Sequence, residues 1–112
     1  MSLISGLKFM NSNKIVIDKK DNITIVKVNG DFITYMRDDI QNHFYQLVEE
    51  VNTDVVLDLE NSDFMDSSGV GLIVHLYKKV HSLRHELKII NTQHQPLSVL
   101  RLLEIDKIVS II

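Results

Sequence analysis

The amino-acid sequence predicts a single α/β domain with a mixed, mostly parallel β-sheet packed with helices. Short β-branched runs alternate with segments of helical periodicity in the order β-β-α-β-α-β-α-β, and no linker or internal repeat interrupts them. Strands that alternate with helices pair in parallel through right-handed crossovers, and an opening hairpin adds an antiparallel edge. We expect an extension or leader over residues 1–13 and the domain over residues 14–112.

The opening hairpin is predicted from two β-branched runs, Lys14–Asp18 and Ile23–Val28, which four polar residues separate. Apolar residues then recur at helical spacing over Tyr35–Val51. Asp54–Leu59 is a nearly unbroken apolar run, typical of a central strand that is covered on both faces. Ser67–Ser82 is predicted as the second helix, with a stripe of Ile73, Leu76, Val80 and Leu83.

The last third of the chain is predicted to complete the sheet. Leu87–Asn91 is a strand, and Pro96 opens a third helix that continues to Leu103, because the missing N–H of proline costs nothing in a first turn. Lys107–Ile112 is the final strand.

The composition of the chain excludes several kinds of site and several classes of function. The 112 residues are 45% hydrophobic and 24% charged, which is typical of a globular domain. The absence of cysteine excludes a disulfide framework and a thiolate metal site. A net charge of −3 argues against direct nucleic-acid binding, which needs a basic surface. Residues 1–10 do not resemble a secretory signal, and the run Val70–Val74 is far too short to span a membrane. We therefore expect a cytoplasmic protein without membrane insertion.

The junction between the central strand and the second helix is the candidate site. It reads Phe64-Met65-Asp66-Ser67-Ser68-Gly69-Val70-Gly71 and lies at the carboxyl end of the sheet, where α/β proteins place their sites. Asp66 or Ser67 can cap the helix. Gly69 and Gly71 weaken a helix, which suggests that something approaches closely there. The competing interpretation is a plain helix cap, with glycines that only allow tight packing.

Enzymatic motifs do not fit this junction. It lacks the lysine of a P-loop, the third small residue of a dinucleotide fingerprint and the flanking glycines of a nucleophile elbow. His81 and His85 have helical i, i+4 spacing, but a metal site needs further ligands, so we expect a solvated face. The carboxylates of the junction could form an acid and base pair, although solvation at a strand end explains them more simply; they are Asp58, Glu60, Asp63 and Asp66.

The junction resembles that of the STAS domains, and within them the bacterial anti-sigma factor antagonists. The run Val55–Leu59 followed by Phe64–Gly71 is similar to the family's central strand and phosphorylation loop. Gly30-Asp31-Phe32 resembles the turn between its second strand and first helix. The stretch from Leu100 to Val109 is similar to its third helix and last strand. The resemblance begins at about Ile15.

This resemblance implies a switch without catalytic activity or a cofactor. Ser67 would accept phosphate from a serine kinase that is itself the anti-sigma factor, and a metal-dependent phosphatase would remove it. The unphosphorylated protein would bind the kinase and release the sigma factor, which regulates transcription by partner switching. The implied partner-binding residues are Asp31, Asp66, Ser67, Ser68, Gly69, Val70 and Gly71.

Three departures from the family pattern stand out. Ile33 lies where the family often has an acidic residue, and Glu104 lies where a helix-ending glycine is frequent. The sequence stops at Ile112, where many members add a helix, so apolar surface there is a candidate contact for a partner or for a second copy in a homodimer.

Two alternatives remain open. One is a STAS subunit of a lipid-transport or transporter regulatory complex that binds its partner without phosphorylation; a complete Asp-Ser-Ser-Gly motif is unnecessary for that role. The other is a small serine hydrolase, which the lack of an oxyanion-hole motif and of a recognisable base disfavours.

Overall fold

The structure is a computed structural model that describes residues 15–32 and 38–112. One sheet has the strand order β1-β2-β3-β4-β5. Its strands are β1 (Ile15–Lys20), β2 (Ile23–Val28), β3 (Asp54–Asp58), β4 (Leu87–Ile90) and β5 (Ser110–Ile111). The helices are α1 (Asp38–Glu50), α2 (Ser67–Ser82) and α3 (His94–Leu102), and a 3-10 turn (Ile105–Lys107) precedes β5. The predicted fold class and element order are confirmed.

The opening hairpin is tighter than predicted. β1 pairs antiparallel with β2 from Ile15 opposite Val28 to Lys20 opposite Ile23. Only two residues remain for the turn, and the first of them, Asp21, has φ +54°. Aspartate tolerates this left-handed conformation better than most residues, so the strand continues two residues beyond the predicted end. Lys14, the predicted first residue, lies outside the described part of the chain.

The strand order indicates that all three helices lie on one face of the sheet. Strands β2 to β5 pair in parallel in chain order without a reversal. Right-handed crossovers that always move in the same direction place their helices on the same side. Within β3, Val55 and Leu57 are buried, whereas Val56 between them is only half-buried. On the face of Val56, Val16 and Ile23 are 37% and 40% exposed. The expectation that β3 is covered on both faces is therefore not met among the described residues.

The two longer helices bury most of the apolar residues that were predicted to face the core. α2 has the predicted bounds, and its Ile73, Leu76 and Val80 are buried. The stripe does not include Leu83, which caps the carboxyl end of α2 and is 37% exposed. α1 contributes a further set to the same core, namely Ile40, Phe44, Leu47 and Val48. Residues 35–37 of the predicted first helix lie outside the described ranges.

The carboxyl-terminal third differs in detail from the prediction. α3 begins at His94, two residues before Pro96, which lies within the first turn, where its missing N–H is still harmless. The final strand contains only two residues, because the chain up to Lys107 forms a 3-10 turn. Between this turn and α3, Glu104 has φ +60°, the left-handed conformation in which glycine is favoured. Within residues 15–32 and 38–112, no helix has the length and apolar character that crossing a membrane requires.

Candidate functional site

Asp66 is the residue that caps α2. Its backbone is extended, and its Oδ1 accepts hydrogen bonds from Ser68 N at 2.9 Å and from Gly69 N at 3.4 Å. Of the two caps that the sequence left open, the structure uses the carboxylate, which also suits the positive end of the helix. Ser67 and Ser68 therefore occupy the first two helical positions.

The chain that leads to Asp66 is held by the segment that follows β2. Phe32 N donates to Phe64 O at 2.9 Å, and Asp66 N donates to Phe32 O at 3.1 Å. Phe32 and Met65 thus form an isolated parallel bridge beyond the ends of β2 and β3. Asp31 adds to this, since its Oδ1 accepts hydrogen bonds from the backbone N–H groups of residues 63 and 64, each at 3.3 Å. Asp31, a predicted partner-binding residue, orders the loop.

The opposite edge of the same segment is held by a side chain of α3. Met65 N donates to Gln95 Oε1 and Gln95 Nε2 donates to Met65 O, both at 2.8 Å. Sequence reasoning did not identify Gln95. A glutamine near a helix start carries no recognisable signal, and 30 positions separate it from Met65.

The predicted site residues differ in exposure. Ser67, Ser68 and Gly71 are exposed, whereas Gly69 and Val70 are buried within the domain. A Cβ on Gly71 would meet nothing within 4 Å among the described residues, but one on Gly69 would overlap the backbone of Phe32. Tight packing therefore explains Gly69 and does not explain Gly71.

Within Phe64–Gly71 the exposed residues are Phe64, Ser67, Ser68 and Gly71, which we call the Ser67 surface. Phe64 is 57% exposed although it is a large aromatic residue. Asp63 and Asp66 lie beside these residues in the sequence, and no lysine or arginine occurs between Glu60 and Tyr77. The surface thus combines two serines and an apolar ring with acidic residues that are their neighbours in the sequence, a chemistry suited to contact with another protein.

Two of the remaining carboxylates of the junction, Asp58 and Glu60, have structural partners. Asp58 Oδ1 accepts hydrogen bonds from Glu60 N at 2.9 Å and from Asn91 Nδ2 at 3.2 Å. Glu60 accepts a hydrogen bond of 3.0 Å from Lys27 Nζ, and this bond raises the pKa of the lysine above its ordinary value. These contacts connect the ends of neighbouring strands.

The two histidines with i, i+4 spacing also have other neighbours. His81 stacks on Tyr77 with 5.3 Å between ring centroids. His85 Nε2 lies 3.3 Å from Asn52 Oδ1, and its Nδ1 lies 3.4 Å from Asp54 Oδ1. Throughout the part of the chain that the structure describes, no group of three or more histidine or acidic side chains could hold a metal ion.

Comparison with known proteins places this arrangement in context. Residues 14–112 match the family model described as STAS domain. Among solved structures, TM1081 of Thermotoga maritima, described as a candidate anti-sigma factor antagonist, has a TM-score of 0.76 at 21% identity, and the match covers 88% of this chain and 86% of that one. An anti-sigma factor antagonist from Mycobacterium paratuberculosis has a TM-score of 0.75 at 15% identity, with coverage of 90% and 88%.

A third structure is the Bacillus cell fate determinant SpoIIAA in its phosphorylated form. Its TM-score is 0.65 at 15% identity, and the match covers 88% of this chain and 90% of that one. At such identities the likeness concerns the fold.

Proposed function

The chain belongs to the STAS domain family, and from this we propose that it is an anti-sigma factor antagonist controlled by phosphorylation of Ser67. Unphosphorylated, it binds an anti-sigma factor that is also a serine kinase, and the sigma factor is released to direct transcription. A metal-dependent serine phosphatase returns the phosphorylated form to the binding form. The observation that carries this proposal is that Ser67 is an exposed residue at the start of α2, directly after its cap Asp66.

The chain supplies an acceptor in this reaction. Ser67 Oγ attacks the γ-phosphorus of ATP held by the kinase. The new O–P bond forms, the bond to the oxygen that bridges the β- and γ-phosphorus breaks, and ADP leaves. The hydroxyl proton passes to a base of the kinase. Since catalysis of phosphoryl transfer consists of positioning and charge stabilisation, the kinase provides it, and we propose no catalytic activity, cofactor or metal for this chain.

Recognition depends on the folded surface. The nearest basic residues in sequence lie outside the stretch from Glu60 to Tyr77, so a short basic motif beside the phosphoacceptor is missing. The Ser67 surface offers Phe64 as an apolar contact, and the space over Gly71, which no described residue fills, lets a partner approach the α2 backbone. Aromatic side chains are common anchors at protein interfaces.

Phosphorylation would end binding by repulsion at the interface. The phosphate adds about −1.5 to −2 charges. The positive end of α2 stabilises the phosphate by about 0.3–1 kcal/mol. Asp66 already accepts a hydrogen bond from this end of the helix. One like charge at about 4 Å across an interface costs about 4 kcal/mol at an effective dielectric constant of 20. This repulsion is several times larger than the stabilisation by the helix. The difference corresponds to a loss of about a hundredfold or more in affinity.

The test is intact-mass measurement of the protein purified from its own cells, before and after phosphatase treatment. We expect a single phosphate that the phosphatase removes and that the Ser67→Ala variant lacks. A protein without phosphate under every growth condition, yet stably bound to a partner, would favour the constitutive STAS subunit. Ester hydrolysis by the wild type that Ser67→Ala abolishes would favour the hydrolase.

A further inference from the structure

We propose that Gln95 is a positioning residue for Ser67: its carboxamide replaces a neighbouring strand and fixes the backbone from which Ser67 is presented. A role of Gln95 in phosphorylation rests on the function proposed above. Its effect on the segment from Phe64 to Asp66 can be tested on the protein alone.

The hydrogen bonds around Met65 follow the pattern of a strand. In an extended chain, the N–H and C=O of one residue point to the same edge, and those of its neighbours point to the other edge. Both groups of Met65 bond to the Gln95 carboxamide at 2.8 Å. Phe64 O and Asp66 N bond to the backbone of Phe32 on the opposite edge. The segment is therefore paired along both edges, by a backbone on one and by a side chain on the other.

Burial makes the Gln95 contact costly to lose. The Met65 residue is 1% exposed and Phe32 is fully buried. A buried backbone group without a partner is destabilising, so removal of the carboxamide would leave two such groups on one residue. Glutamine carries a donor and an acceptor on one planar group, and asparagine is one methylene shorter. The residue type and its length both fit this role.

The connection from β4 to α3 contains two left-handed residues and places Gln95 beside Met65. Asn91 has φ +59° and His94 has φ +55°, both in the left-handed region. Non-glycine residues are uncommon there and persist where the surrounding structure holds them. Gln93, the first residue before α3, makes no side-chain cap bond, whereas Gln95 makes two bonds to Met65. The contact with Met65 thus ties this connection to the Ser67 surface.

Ser67 depends on this contact because it follows Met65 by two residues. Between them lies Asp66, whose backbone bonds to Phe32 and whose carboxylate caps α2. Releasing one edge of Met65 would let Asp66 and Ser67 shift together. Gln95 therefore couples the position of α3 to the phosphoacceptor.

The first experiment compares Gln95→Met with Gln93→Met, a matched substitution at a glutamine whose side chain does not cap the helix. Amide hydrogen exchange and amide NMR shifts are measured. In Gln95→Met, we expect exchange at Met65 to rise about tenfold, the scale of one lost hydrogen bond, and the Ser67 amide signal to move. Exchange at Val55, whose N–H bonds to Glu86 O, stays unchanged as an internal control. Unchanged Met65 exchange or an unmoved Ser67 signal would overturn the proposal.

The second experiment uses Gln95→Glu, because a protonated carboxyl carries the same donor and acceptor pair as glutamine. The ionised carboxylate instead places an oxygen against Met65 O. The variant should match the wild-type Ser67 signal at about pH 5 and depart from it at about pH 8, with a pKa above the ordinary glutamate value. General loss of stability would not be reversed by acid. A shift that is independent of pH would contradict the proposal.

Phosphorylation kinetics connect this geometry to function. With the serine kinase and ATP, Gln95→Met should lower kcat about tenfold with little change in KM, since a misplaced hydroxyl reduces the chemical step rather than docking. An unchanged kcat would refute the positioning role. Absence of phosphorylation in the wild type would instead refute the proposed function, and the exchange and NMR results would still decide whether Gln95 positions Ser67.

Discussion

The carbonyl oxygen of Phe32 occupies the space that a side chain on Gly69 would need. The same oxygen accepts the N–H of Asp66 at 3.1 Å, so one atom contacts both the cap and the first turn of α2. A Cβ on Gly69 would overlap this oxygen and lie 2.9 Å from Phe32 Cβ. The start of α2 is thus packed directly on the backbone that follows β2.

Replacing this glycine should destabilise the domain. We expect Gly69→Ala to lower the free energy of unfolding by about 1–3 kcal/mol, the usual cost of overpacking. Gly71→Ala is the matched control. Its Cβ is unobstructed among the described residues, so the gain in helix propensity should raise stability by about 0.5–1 kcal/mol. Urea denaturation measures both changes. Equal stability of the two variants would show that the Phe32 contact is not limiting.

The proposed phosphoacceptor, Ser67, can be distinguished from its neighbour by paired substitutions. With the serine kinase and ATP, Ser67→Ala should abolish phosphate uptake, and Ser68→Ala should retain it. Ser68 lies one position further into the helix, where its N–H already bonds to the Asp66 carboxylate. Undiminished uptake by Ser67→Ala, measured by intact mass, would disprove the assignment.

A charge at Ser67 should affect binding without unfolding the domain. Ser67→Asp is expected to keep the circular-dichroism spectrum and melting temperature of the wild type, because an acidic residue is tolerated in the first turn of a helix. Its affinity for the kinase should fall about a hundredfold by calorimetry. Ser67→Asn, similar in size and neutral, separates charge from bulk. Aspartate carries less charge than phosphate, so the enzymatically phosphorylated protein completes the series, and tight binding by that form would contradict the switch.

Glycine should be more stable than alanine at position 104, because the backbone of Glu104 is left-handed. A left-handed residue with a Cβ costs about 1–2 kcal/mol, and glycine avoids most of this cost at some loss of chain entropy. We expect Glu104→Gly to be more stable than Glu104→Ala by about 1 kcal/mol. Both variants remove the exposed ion pair with Lys107, so this contact cancels in the comparison. Thermal or urea unfolding gives the difference, and an alanine variant that equals the glycine variant would contradict the expected strain.

Local patterns were sufficient for most of the secondary structure. The strand Ile23–Val28 and the helix Ser67–Ser82 have the predicted bounds, because periodicity and capping residues act within a few positions of the chain. The predicted bounds were wrong where an element begins or ends at a backbone conformation that no residue in the sequence signals. The third helix begins before Pro96 through the left-handed residue His94, and the last strand is shortened by a 3-10 turn.

The sequence by itself determined the alternation of strands and helices, the junction that contains Ser67, and two candidate caps for α2. Tertiary structure decided which face the helices cover, because that depends on strand order. It also decided that Asp31 and Gln95 hold the segment before Ser67 and that Gly69 packs on Phe32. These contacts join residues about 30 positions apart, and no local propensity encodes such a pairing. They form only when the sheet brings the ends of its strands together.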